Sequence, residues 1–302
     1  MEQTKIATNS PRAWLLAARP KTLTGAAVPV MVGTALAYTD AFYYEDDAFS
    51  WTAALLCLLF AFIMQIDANF INDFFDFANG ADNSETRLGP RRACAQGWVK
   101  LDSMKRAIAL TTCAACVVGL PLVFFGGLEM ILIGMLCVVF CFLYTTHLSY
   151  LGLGDVLVLV FFGLVPVTMS YYVHLHTCTW QVFIASLACG MVIDALLLVN
   201  NFRDREQDKA VGKNTLAVRI GAANTLRIYL AVGVVAWLAG VAFWMNGHIL
   251  AFVLPTLYLV LHLFTYLKMK RIYRGKALNA CLAETARNIF VYGLCVTAGL
   301  LL

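Results

Sequence analysis

Residues 51–82 read WTAALLCLLFAFIMQIDANFINDFFDFANGAD. The first part of this stretch is an unbroken apolar run. A helix needs roughly 20 such residues to cross a ~30 Å hydrocarbon core. The last part departs from it, with Gln65, Asp67, Asn69, Asn72, Asp73 and Asp76 in close succession. Carboxylates inside a membrane helix cost roughly 2.5–3.5 kcal/mol each on insertion scales, so they are rare unless used. Gln65, Asn69, Asn72 and Asp76 advance by four, three and four, which sets them on one helical face. Asn79-Gly80 should end the helix and leave Asp82 beyond it.

The rest of the chain has the same character. Of its 302 residues, 61% are hydrophobic and 13% charged, whereas a soluble domain carries about 25% charged residues. Nine apolar runs qualify as spans: Thr22–Tyr38, Trp51–Phe75, Ala107–Phe125, Leu128–Tyr144, Gly154–His174, Trp180–Asn200, Thr225–Met245, Ile249–Lys268 and Ala286–Leu302. The expected fold is an all-α, polytopic membrane helical bundle of nine transmembrane helices. It forms a single domain, with a short polar leader over residues 1–18 that lacks the pattern of a cleavable signal.

Charge sets the orientation. All 22 Lys and Arg residues fall on one side of a nine-span chain, before the first span and in the loops after spans two, six and eight. Asp40, Glu45, Asp46, Asp47 and Glu129 fall on the other. The positive-inside rule puts the N-terminus in the cytoplasm and the C-terminus outside. The net charge of +4 is thus a topology signal, and nucleic acid is not an expected partner. No obligatory protein partner is evident either. The 10 Cys residues lie mostly in apolar runs without metal-ligand spacing and read as small buried hydrophobes. His147, His174, His176, His248 and His262 form no metal set.

A second polar cluster ends the sixth span, Asn200-Asn-Phe-Arg-Asp-Arg-Glu-Gln-Asp208. Asp194, Asn201, Asp204 and Asp208 advance by seven, three and four and share a face. The two clusters lie four spans apart, a hint of repeated helix pairs. Local pairing, such as Asp204 with Arg205 or Lys209, accounts for part of this. It does not account for acids that continue inward to Asp73 and Asp67. A shared Mg²⁺ does: this ion takes oxygen ligands and is held by few carboxylates plus substrate phosphates. Basic residues then neutralise the remaining phosphate charge, and a diphosphate becomes a good leaving group. A diphosphate on a long hydrocarbon suits a head at the helix ends and a tail in the lipid-embedded body. Aromatic side chains could face an allylic cation there.

At these residues the chain resembles the UbiA superfamily of intramembrane prenyltransferases. The resemblance rests on Asn72-Asp-Phe-Phe-Asp76 with Asp82, and on Asp204-Arg-Glu-Gln-Asp208. Further segments favour the branch that acts on 1,4-dihydroxy-2-naphthoate. They are Arg19-Pro-Lys-Thr-Leu23, Gly89-Pro-Arg-Arg92, Gly152-Leu-Gly-Asp155 with Phe161-Phe-Gly163, and Asn200 to Asp204 followed by Gly212-Lys-Asn-Thr-Leu-Ala-Val-Arg219. The chain departs from the general pattern in having Gly80 where an Asp is usual, with Asp82 in its place. It also lacks a basic residue in Tyr144-Thr-Thr-His-Leu-Ser-Tyr150, which argues against a 4-hydroxybenzoate acceptor.

The resemblance implies an aromatic polyprenyltransferase of the bacterial inner membrane, with its active site on the cytoplasmic side. Mg²⁺ would be held by Asn72, Asp76, Asp82, Asp204 and Asp208, of which Asp76, Asp204 and Asp208 are the catalytic set. Arg19, Lys21, Asn69, Arg203 and Lys213 would contact the diphosphate. Asp73 would orient a neighbour, and Arg87, Arg91 and Arg92 would sit in a covering loop. Tyr144 and Asn201 are further candidates. Asp155 and Asp194 read either as site residues or as an interhelical hydrogen bond. The partners are polyprenyl diphosphate, dihydroxynaphthoate and the lipid bilayer, and the product is a demethylmenaquinol formed with loss of CO₂. Two other classes compete. An ion-coupled transporter would place its acids near the bilayer midplane, and an aspartyl protease would need two Asp sharing a proton.

Overall fold

The computed structural model describes residues 6–43, 49–80 and 87–302. All regular structure in it is helical. Nine long helical units follow in chain order: α1 (Pro11–Tyr43), α2 (Trp51–Ala78), α3 (Leu101–Gly126), α4 (Glu129–Leu148), α5 (Gly154–Leu175), α6 (Trp180–Ala210), α7 (Leu216–Met245), α8 (Ile249–Ile272) and α9 (Leu278–Leu301). The first eight are long and apolar enough to cross a membrane. The ninth has the length, at 24 residues, but Glu284, Arg287 and Asn288 lower its hydropathy. Asn288 is fully buried and donates to Thr265 Oγ1 on α8 at 3.0 Å, so the polar residue is spent inside the bundle.

The leader differs from expectation. Ser10 caps a helix over Pro11–Ala18 by accepting a hydrogen bond from Ala13 N at 3.3 Å, and Pro11 occupies the first turn, where its missing N–H costs nothing. Ala13 and Ala17 bury against Phe70 and Ile71 of α2. The chain then breaks at Arg19, in left-handed conformation (φ 50°, ψ 68°), passes through a 3₁₀ turn over Pro20–Thr22 and resumes as a helix at Leu23. Proline after Arg19 disfavours a right-handed helical conformation there.

Two helices overshoot the bilayer. α2 has 28 residues and α6 has 31, about 42 and 46 Å at 1.5 Å per residue, against ~30 Å of hydrocarbon. Ser50 caps the start of α2 and Thr179 that of α6. Their far ends therefore carry the polar stripes past the apolar layer. α6 is the central helix and packs on α1, α5, α7 and α9. α5 and α6 approach closely at Gly163 and Gly190: a Cβ on Gly163 would lie 2.7 Å from the Gly190 Cα. α3 and α4 form the outer wall and expose Leu110, Val117, Phe124, Leu132 and Leu136, an apolar face suited to lipid.

Candidate active site

A cavity of about 730 Å³ runs down the bundle between α1 to α6. Its body is apolar, walled by residues such as Met64, Val138, Phe161, Phe162 and Met169. Its other end is polar, with Arg19, Asn69, Asn72, Asp76, Arg87, Arg92, Asn201 and Lys213 in the wall.

Each polar group is held by its neighbours. Asn69 Nδ2 donates to Ala18 O at 3.0 Å and to Thr22 Oγ1 at 2.9 Å, and its Oδ1 accepts from Arg19 Nη1 at 3.4 Å. Asn69 thus fastens the break in α1 and sets the direction of Arg19. Arg19 Nη2 is buried with no hydrogen-bond partner and stands 4.0 Å from Asp73 Oδ2. A buried, unpaired guanidinium N–H at the cavity wall is a ready donor for an anion.

Asp73 is fully buried and accepts from the backbone N–H groups of Ala93 (2.9 Å) and Cys94 (3.1 Å). It holds the loop between α2 and α3 rather than facing the cavity. Burial and the nearby Asp73 carboxylate push the Cys94 thiol up to about 12, so it is inert as a nucleophile. Asp76, one turn beyond Asn72, meets Arg92 Nη2 at 3.5 Å and lies within the electrostatic reach of Lys213, Arg87 and Arg19. Asn72 Oδ1 accepts from Thr145 Oγ1 at 2.8 Å. Asp67 serves structure: it accepts from Thr111 and, at 2.7 Å, from Thr112 of α3.

On α6, Arg203 is 2% exposed and clasps Asp204 with two bonds, Nε to Oδ1 at 2.8 Å and Nη2 to Oδ2 at 2.6 Å. It also donates to Asn200 and, at 2.8 Å, to Asn279 of α9. Asp204 therefore pairs with Arg203, not with Arg205 or Lys209. Arg205 instead stacks on Phe202 and Tyr273. Asp208 shares a charge environment with Lys213, Asp204, Arg203 and Asp76, so the ends of α2 and α6 converge. Lys213 N donates to Asp208 O at 2.8 Å. Lys21 and Arg91 are exposed and away from the cavity wall. Asp82 lies outside the described residues. Among the described residues no three His, Cys, Asp or Glu side chains converge tightly enough to hold a metal alone.

The UbiA prenyltransferase family profile matches residues 26–292, nearly the whole chain. The chain belongs to the UbiA prenyltransferase family. It is 38% identical over 230 residues to the 1,4-dihydroxy-2-naphthoate octaprenyltransferase of Escherichia coli (strain K12), covering 72% of this chain and 71% of that protein. The apo structure of a UbiA homolog from Aeropyrum pernix K1 superposes with a TM-score of 0.68 at 14% identity, over 92% of this chain and 96% of that one. A UbiA homolog from Archaeoglobus fulgidus bound to DMAPP and Mg²⁺ gives a TM-score of 0.64 at 12% identity, over 94% and 99%.

In this UbiA chain several site residues escaped the sequence reading. Tyr150 packs under Lys213, whose Nζ lies 5.6 Å from the ring centroid. Burial first, then the charges of Asp76 and Asp208, push its phenol up. Asn214 N donates to Tyr150 O at 3.1 Å, and Arg219 donates to the Leu151 carbonyl, so the α4–α5 loop is joined to the α6–α7 loop and to the first turn of α7. Asn279 holds the covering loop through Leu88 O at 2.9 Å. Gly89 presses on the Arg203 guanidinium, where a Cβ would come within 2.6 Å of Nη2. No spacing rule links Asn279 to residues so distant in sequence. The sequence marks Gly89 only as part of Gly89-Pro-Arg-Arg92.

Proposed function

We propose that this protein transfers a polyprenyl group from polyprenyl diphosphate to 1,4-dihydroxy-2-naphthoate, with loss of CO₂, giving a demethylmenaquinol for menaquinone biosynthesis. The observation that carries this reading is the polarity of a single cavity: an anion-binding end continuous with an apolar body. The name of the Escherichia coli relative supports the acceptor. The charge distribution supports a cytoplasmic placement of the polar end in the bacterial inner membrane.

The donor set fits Mg²⁺. Asn72, Asp76 and Asp208, with Asp204 and Asp82, would offer hard oxygen ligands, and the substrate phosphates would complete a site that no triad among the described residues closes, as is usual for this ion. The Archaeoglobus fulgidus homolog was solved with DMAPP and Mg²⁺, which supports the same choice. When bound, the ion would neutralise charge on the departing diphosphate. Arg19, with its unpaired Nη2, and Lys213 would receive the phosphate oxygens. Arg203 acts on Asp204 by holding its carboxylate in one orientation. The loop carrying Arg87 and Arg92, fixed by Asp73, lies over the polar end and excludes water from the cation. The electron pair of the breaking C–O bond leaves with the diphosphate. The allylic carbon then bonds to the ring carbon that bears the carboxylate, and CO₂ departs.

The test is a product analysis. Membranes containing the protein, given a polyprenyl diphosphate and either dihydroxynaphthoate or 4-hydroxybenzoate, should yield a prenylated, decarboxylated naphthoquinol by mass only in the first case. Prenylation of 4-hydroxybenzoate in preference would overturn the acceptor.

A further inference from the structure

Asp155, near the start of α5, lines the cavity, and Asp194 on α6 is 4% exposed behind it. The close helix approach at Gly163 and Gly190 brings their carboxyl groups together. Each still keeps a buried Oδ1 with no hydrogen-bond partner. Buried carboxyl oxygens are costly to leave unpaired. An unpaired acceptor at the cavity wall, with a second behind it, calls for a ligand that brings an O–H donor. Tyr144 locates this point along the cavity. Its hydroxyl is near Gly154, where a Cβ would lie 3.7 Å away, and Tyr144, Asp155 and Asp76 all stand in the wall of the same cavity. Asp155 therefore stands beside Tyr144 in the wall of the cavity whose polar end would take the diphosphate, where an acceptor ring can meet the allylic carbon.

We propose that Asp155, oriented by Asp194, accepts a hydrogen bond from a ring hydroxyl of the aromatic acceptor and so selects a hydroxylated ring. Asp155 touches the acceptor; Asp194 is a positioning residue. The inference rests on the reaction proposed above and assigns no covalent step to either residue.

The test is a cycle between residue and substrate. Initial rates are measured for wild type and Asp155→Leu, with dihydroxynaphthoate and with its ring-hydroxyl methyl ether. In wild type, methylation should lower kcat/KM roughly 10- to 100-fold, the range for losing a hydrogen bond to a charged group. In Asp155→Leu that penalty should vanish, while the KM for polyprenyl diphosphate stays within about twofold, since no diphosphate contact is removed. Asp194→Leu should raise the acceptor KM, and Asp194→Asn, which can still hold Asp155 by a hydrogen bond, should restore it. Equal methylation penalties in wild type and Asp155→Leu overturn the inference. If Asp155→Leu does not fold, the cycle is run with the smaller Asp155→Val, which also lacks an acceptor, and an unchanged penalty with an unchanged acceptor KM overturns it equally. A wild type that turns over dihydroxynaphthoate but tolerates the methyl ether overturns this inference alone. A wild type that ignores dihydroxynaphthoate overturns the proposed reaction and this inference with it.

Discussion

Asp73 and Asp76 stand three positions apart on α2 and point to different partners. Asp73 accepts two backbone N–H groups and holds the loop that covers the polar end. Asp76 faces the cavity among Arg92, Lys213 and Arg19. One experiment separates them. Asp76→Asn should lower prenyl transfer by at least about 100-fold, as expected when a catalytic electrostatic contact is lost, with little change in thermal stability. Asp73→Ala should instead destabilise the protein by about 2 kcal/mol, for two buried donors left unpaired, read as a lower unfolding midpoint in detergent. The helical stripe was legible for Gln65, Asn69, Asn72 and Asp76 because spacing alone defines a face. The partner of Asp204 was not. Residues i and i+1 do not face each other on a helix surface, so Arg203 would be passed over. It reaches Asp204 because burial beside Asn200 and Asn279 folds its long side chain back.

At the level of elements, hydropathy gave the long helices and their order, while the breaks within them were hidden. Arg19 interrupts the first helix in a left-handed conformation, and π-helical turns occur at Tyr144–Leu148 and Val160–Leu164. Such turns widen a helix by one residue and recur at functional sites; here they flank Tyr144 and the α5–α6 contact. That contact depends on glycine. A Cβ on Gly163 would meet the Ser186 carbonyl oxygen at 2.5 Å and the Gly190 Cα at 2.7 Å, backbone atoms that cannot turn aside. Gly163→Val should therefore cost about 1–3 kcal/mol or more through overpacking, seen as a lower unfolding midpoint. Gly134→Ala on α4, with nothing within 4 Å of its Cβ, should leave the midpoint equal or higher.

For the whole molecule, the polar ends of α2 and α6 converge, and the proposed ion would bridge these two distant segments. Chelation by EDTA should stop prenyl transfer, and added Mg²⁺ should restore it, as rates in detergent or membranes will check. Prenyl transfer that persists in EDTA would overturn the assignment of a metal ion to the site. The overall layout was readable because all basic residues segregate to one side of nine apolar runs. The cavity was not, since its wall draws on α1 to α6, Leu282 of α9 and several loops, and only packing tells which of their faces meet.

The bonds joining Tyr150 to Asn214 and Leu151 to Arg219 have a consequence for comparing and engineering relatives. Two loops that lie far apart in sequence behave as one module. A chimera that takes the α4–α5 loop from a relative and leaves the α6–α7 loop behind would split that module. Exchange of acceptor preference between family members should succeed when both segments travel together.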